Sequence, residues 1–142
     1  MSCRRRPLVL VVDDCDCLRA AFKTVLREMA GIHAVGAATS EQALKLAQHR
    51  HFDAVISDIV RPGMDGLTFL EVFKRAYPAV PVVIASGVLD EAIACRAKRL
   101  RAFDCLPKPF SCRELVDLVR AAIASKKVCR TLLRSCRSSR WG

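Results

Sequence analysis

Five polar residues stand where a short apolar stretch has just ended. Asp13 and Asp14 follow Leu8–Val12, Asp58 follows Ala54–Ser57, Ser86 follows Val80–Ala85, and Lys108 comes close behind Phe103–Leu106. Three carboxylates gathered at one place repel one another, and a divalent hard cation relieves the repulsion. Mg²⁺ is suited to that task, because it takes one or two carboxylates together with phosphate oxygens and water. An aspartate in such a setting can act as a nucleophile and carry an acyl phosphate. The phosphoryl group in flight spreads negative charge over three oxygens, so its transfer depends on positioning and on neutralisation by the metal and a lysine. Taken singly, each residue has a plainer reading. Asp13-Asp14 could cap a helix, Asp58 could serve a turn, Ser86 says little, and Lys108 could be a solvated charge. Their recurrence at matching positions is what points to phosphoryl transfer onto a carboxylate.

The elements that must position these residues follow from the hydrophobic pattern. Leu8–Val12 is apolar throughout, as a strand buried on both faces should be. From Asp16 the period becomes helical, with Leu18, Ala21, Phe22, Val25, Leu26 and Met29 recurring before Gly31 supplies a stop. Ala34–Ala38 reads as a weaker strand. Thr39 or Ser40 caps a helix to about Gln48. Ala54–Ser57 is a second buried strand, and the turn-rich Pro62–Gly66 leads into a helix ended by Pro78. Val80–Ala85 is a third buried strand, with its proline near the start, where a missing donor is tolerated. Asp90 to about Arg101 reads as a helix, and Phe103–Leu106 as a short strand. Ser111 and Glu114 form a capping box before a helix with Leu115, Leu118, Val119 and Ala122 on its buried stripe. Apolar strands alternating with helices imply a parallel sheet covered on both faces. In such folds ligands bind beyond the carboxyl ends of the strands, which is where the five polar residues fall.

The chain has 142 residues and a formal charge of +10. The stretch Pro7–Ser125 holds 15 basic and 14 acidic residues, so the excess sits in Arg4–Arg6 and in the end beyond Ser125. Residues 1–6 therefore read as a basic extension, 7–125 as the domain, and 126–142 as a basic tail for which disorder is favoured. That tail also has Cys129, Leu132, Leu133 and Cys136 at helical spacing, so it could instead lengthen the last helix. No apolar run nears the roughly 20 residues of a membrane span, and no signal-peptide pattern is present, so a cytoplasmic protein is expected. The eight cysteines include no CxxC pair. Reduced thiols are expected, several of them acting as small core residues.

Four segments are similar to the receiver domain of bacterial two-component response regulators. They are VLVVDD ending at Asp14, AVISDIVRPGMDG around Asp58, VVIASG with Ser86, and LPKPF with Lys108. The resemblance covers about Pro7 to Ser125. It implies a flavodoxin-like (βα)5 three-layer sandwich with a parallel five-stranded sheet in the order 2-1-3-4-5. It implies Asp58 as phosphoacceptor, Asp14 and Asp58 as Mg²⁺ ligands with Asp13 acting through a bound water, and the Val60 backbone carbonyl as a further ligand. Lys108 would contact the phosphoryl oxygens, Ser86 would be the hydroxyl switch, and the Lys108-Pro109 bond would be cis. The implied phosphodonor is a histidine kinase or a histidine phosphotransfer domain. The output is binding of a partner protein by a single-domain regulator, monomeric or weakly dimeric.

The chain departs from the family at three positions. Cys105 stands where the family usually has an aromatic residue that swings inward, so readout is expected through the Ser86 loop and the helix after it. Val60 and Val88 stand where the family tunes dephosphorylation. Neither can orient a water, so slow autodephosphorylation is expected. Arg96, Lys98, Arg99 and Arg101 make the helix after Asp90 basic, which favours an acidic partner. The chain could also be a receiver-regulated nucleic-acid-binding protein using its basic ends, although these lack a reading motif, or a non-phosphorylated pseudo-receiver scaffold. A phosphate-ester hydrolase would be expected to carry a second acid at position 60.

Overall fold

The computed structural model describes residues 6–59, 65–87 and 90–141, with side chains described as far as Lys126. Five strands alternate with five helices: β1 Leu8–Val12, α1 Asp16–Ala30, β2 His33–Ala37, α2 Ser40–His49, β3 Ala54–Ser57, α3 Gly66–Ala76, β4 Val82–Ser86, α4 Glu91–Arg99, β5 Asp104–Pro107 and α5 Cys112–Trp141. The strands are all parallel and run in the order β2-β1-β3-β4-β5.

The sheet is buried on both faces because its central strands β1, β3 and β4 are apolar except for the serines that end β3 and β4. Side chains alternate across a strand, and the core divides accordingly. Val9, Val11, Ile56, Val83 and Ala85 pack with Phe22 and Leu26 of α1 and with Leu115, Val119 and Ala122 of α5. Leu10, Val12, Val55 and Ile84 pack on the other face with Ala43 of α2, Phe69, Leu70 and Phe73 of α3, and Ala97 of α4.

Local chemistry sets the helix starts. Thr39, Asp65 and Asp90 each accept a bond from the backbone N–H three residues on, satisfying donors the helix leaves open. At α5 the box closes reciprocally, with Glu114 N–H donating to Ser111 Oγ at 3.0 Å and Ser111 N–H to Glu114 Oε1 at 3.1 Å. Gly31 ends α1 in the left-handed conformation, with φ 64°.

Several expectations shift. β4 keeps Ser86 as its last residue, and α4 is shorter than its sequence reading, with Ala97 its one buried residue. Leu18 and Met29 lie on the exposed side of α1's apolar stripe. The described cysteines are not core residues. Cys15, Cys17, Cys95 and Cys112 are exposed and Cys105 is half-buried, because they fall at helix starts, on an outward helix face and on the edge strand. The side chains of Cys3, Cys129 and Cys136 lie outside the described residues. Beyond Ser125 the chain does not lose its helix. α5 runs on to Trp141, through a segment with neither proline nor glycine and many residues that favour helix. Lys126, the first residue assigned to the tail, is buried in the body. Its Nζ donates to the Phe52 carbonyl at 2.8 Å and lies 3.7 Å from Asp53 Oδ1.

Candidate functional site

Each site residue is held by the end of a strand. Asp13 continues β1, its N–H donating to the Ala37 carbonyl at 3.1 Å. Asp58 continues β3, its N–H donating to the Val12 carbonyl at 3.1 Å. The ladder that orders β2, β1 and β3 therefore extends one residue further and brings both carboxyl groups to one edge. Asp13 is buried, only 2% exposed. Its Oδ1 accepts from the Cys15 N–H at 2.9 Å, which also satisfies a donor at the start of α1, where Cys15 makes no side-chain cap. Arg19 clasps the same turn, donating to the Asp13 carbonyl and pairing with Asp16.

Asp13, Asp14 and Asp58 each present a carboxylate oxygen, and these oxygens lie within 4.8 Å of one another. Lys108 reaches in from the far side of the sheet. Its Nζ lies 3.4 Å from Asp13 Oδ2 and 3.4 Å from Asp58 Oδ2. Equal distances longer than an ordinary charge-assisted bond of about 2.8 Å mean that the ammonium is shared between the two acids. Its backbone is fixed by its N–H donating to the Ser86 carbonyl at 2.9 Å, and the Lys108-Pro109 bond is cis. Ser86 is buried at the end of β4, opposite Pro107 in the ladder with β5.

Three carboxylates against one ammonium leave two formal negative charges at the mouth of the site. That charge, carried on hard oxygen donors at this spacing, fits a small divalent cation. The structure thus joins Asp13 and Asp58 through Lys108, sets the Asp14 carboxylate beside them, and ties in Ser86 through the backbone of Lys108. Val60 and Val88 lie outside the described residues.

Sequence reasoning missed Gly66. The first residue of α3 packs on the main chain that carries Asp58, and its N–H donates to the Ile59 carbonyl at 2.8 Å. A Cβ there would lie 2.2 Å from the Asp58 carbonyl oxygen and 2.5 Å from Ile59 Cα. The signal was present as the last residue of PGMDG, but turn chemistry alone accounted for it. Ser57 was also missed. It is buried and donates from Oγ to the Asp58 carbonyl at 3.1 Å.

Two neighbouring features bear on the site. An apolar groove of about 350 Å³ opens beside Lys108 between α1 and α5, lined by Leu18, Phe22, Val25, Pro109, Phe110 and Leu115 among others. The Phe22 and Phe110 rings stack beneath it, 5.9 Å apart. On β5, burial pushes the Cys105 thiol up from its ordinary pKa, Asp104 adds to the rise and Lys98 opposes it. Cys105 is therefore a protonated, half-buried packing residue at neutral pH.

A family model described as the response regulator receiver domain matches residues 9–120. An NtrX-like response regulator of Rickettsia bellii (strain RML369-C) is 40% identical over 124 residues, which are 86% of this chain and 26% of that protein. The DNA-binding transcriptional regulator NtrC of Escherichia coli (strain K12) is 37% identical over 120 residues, 84% of this chain and 25% of that protein. The chain thus spans about a quarter of the length of these curated relatives. A receiver domain protein from Clostridium thermocellum superposes with a TM-score of 0.81 at 29% identity, over 87% of this chain and 98% of that one. NtrX from Brucella abortus superposes with a TM-score of 0.84 at 30% identity, over 92% of this chain and 29% of that one.

Proposed function

The chain belongs to the response regulator receiver domain family, signalling domains rather than metabolic enzymes, and we propose that it accepts a phosphoryl group on Asp58 from a histidine kinase or histidine phosphotransfer domain. The observation that carries this reading is the convergence of Asp13, Asp14 and Asp58, with Lys108 shared between Asp13 and Asp58. A carboxylate oxygen of Asp58 attacks phosphorus. The new O–P bond forms as the donor's P–N bond breaks, the electron pair stays on the departing imidazole nitrogen, and that nitrogen takes up a proton from water. Lys108 neutralises charge on the moving phosphoryl oxygens. Asp13, Asp14 and Asp58, with the Val60 carbonyl, would hold Mg²⁺, which when bound offsets the remaining charge between carboxylates and phosphoryl group. The groove between α1 and α5 opens at Lys108, so a donor helix seated on its apolar walls would place a phosphohistidine beside Asp58.

The output is a change of population between two conformers, read by a partner protein through the Ser86 loop and α4. A monomeric or weakly dimeric state belongs to the same proposal. No described helix is long and apolar enough to cross a membrane. The test is incubation with Mg²⁺ and acetyl phosphate, followed by intact-mass measurement. A gain of one phosphoryl group that disappears in Asp58→Asn is expected. A gain that persists in Asp58→Asn, or no gain from acetyl phosphate or a phosphorylated phosphotransfer domain, would leave a receiver fold without the proposed chemistry.

A further inference from the structure

A second charged surface lies at the other edge of the sheet, where helices end rather than begin. A cavity of about 360 Å³ opens between the C-terminal ends of α3 and α4. Lys74 and Arg75 line it from α3, Arg99 and Arg101 from α4 and the turn after it, over Pro78 and Leu100. One acid, Glu71, also lines it and is paired with Arg75 at 3.4 Å. Lys74 is pinned at the rim, donating to the Pro78 and Val80 carbonyls at 2.9 and 3.0 Å. The guanidinium groups of Arg99 and Arg101 have no ion-pair partner among the described residues.

An independent observation falls on Arg101. It is the one non-glycine residue with a positive φ, 71°, among the described residues. The N–H of Arg101 donates to the Lys98 carbonyl and that of Ala102 to the Ala97 carbonyl, both at 2.9 Å. This is the Schellman closure of a helix, whose left-handed residue is normally glycine. α1 ends through a related closure with Gly31 in that role. A Cβ makes the left-handed conformation unfavourable, so the stop alone does not account for an arginine. The helix dipole favours cations near a C-terminus, but Arg96, Lys98 and Arg99 already serve it from the last turn with ordinary backbone angles.

We propose that this cavity docks an acidic segment of a partner protein. Carboxylates of the segment pair with the guanidinium forks of Arg99 and Arg101, whose planar geometry suits them. An apolar side chain between those carboxylates rests on Leu100 and Pro78. Two helix C-termini bound the site and favour no anion, so the attraction comes from Arg99 and Arg101, whose guanidinium groups have no ion-pair partner among the described residues.

The test uses the full chain and a fluorescein-labelled peptide of Glu-Glu-Leu-Glu-Glu repeats, followed by anisotropy at low salt. Saturable binding is expected. Arg101→Gly should weaken it about fivefold, the loss of one charge-assisted pair, while raising the melting temperature by about 3 °C. Arg113→Gln on α5 should leave the affinity within about twofold, as a rim charge outside the contact should. Four results would overturn the proposal: no peptide binding, equal weakening by Arg113→Gln, tighter binding of a single-stranded oligonucleotide of matched charge, or an Arg101→Gly protein that is no more stable. The gain in stability separates lost docking from lost folding.

Discussion

Asp58 owes its position to neighbours that do no chemistry. Gly66 touches its carbonyl and Ser57 donates to the same oxygen, so the main chain of the acceptor is fixed from two sides. Because a Cβ on Gly66 would meet backbone atoms rather than a yielding side-chain tip, the loop must move to accept it. Gly66→Ala should therefore lower the rate of phosphorylation by acetyl phosphate at least tenfold and cost about 2 kcal/mol of stability. Rapid-quench labelling and urea unfolding measure the two effects, and an unchanged rate would show that the loop tolerates the shift. The acids and Lys108 were legible because residue type and strand-end position coincide. Gly66 was not, because its reason is a contact between segments that no local pattern records. The cysteines misled for a related cause: small and apolar as a type, they sit here at Cys15, Cys17 and Cys112 on exposed helix starts.

At the scale of elements, the start of α3 couples structure to pH. The backbone N–H of Thr68, donating to Asp65 at 2.8 Å, is the largest cause holding the Asp65 carboxyl below its ordinary 3.8, partly opposed by burial. A depressed folded value means that the cap's charge stabilises the fold above the unfolded value, and that this contribution fades as pH falls through the folded one. Asp65→Ala should cost about 1 kcal/mol at pH 7. Asp65→Asn keeps an acceptor, so its deficit relative to the wild type should shrink steadily from about pH 5 to pH 3, within the ordinary range for carboxylates. Urea unfolding across that range measures it, and a deficit independent of pH would show the charge to be idle. β3 was read to its exact residues because three apolar residues and Ser57 are closed on one side by Asp53 and on the other by Asp58. α4 was read too long, since it buries Ala97 alone and leaves little periodicity to mark its end.

For the whole molecule, the strand order followed from family resemblance, not from any single run. An apolar strand cannot say which of its faces meets which helix layer. That division, with α1 and α5 on one side and α2, α3 and α4 on the other, is a product of connectivity. It gives the proposed signal a direction. Ser86 ends β4 at the edge with Asp58, and α4 begins at Glu91 a few residues later. In solution NMR, phosphorylated protein should show amide shifts at Gly87 and along α4 that exceed those on α2. Shifts confined to the residues around Asp58 would remove α4 from the readout.

Lys126 adds a mechanical consequence. It pins α5 to the Phe52 carbonyl about midway along a 30-residue helix whose root lies four residues after Lys108. The clamp is a fulcrum, and the fifteen residues to Trp141 span ~22 Å at 1.5 Å per residue. A tilt of about 5° about that point moves Trp141 by ~2 Å in the sense opposite to the root, so an adjustment near Lys108 is carried along a single rod with its direction reversed and its size kept.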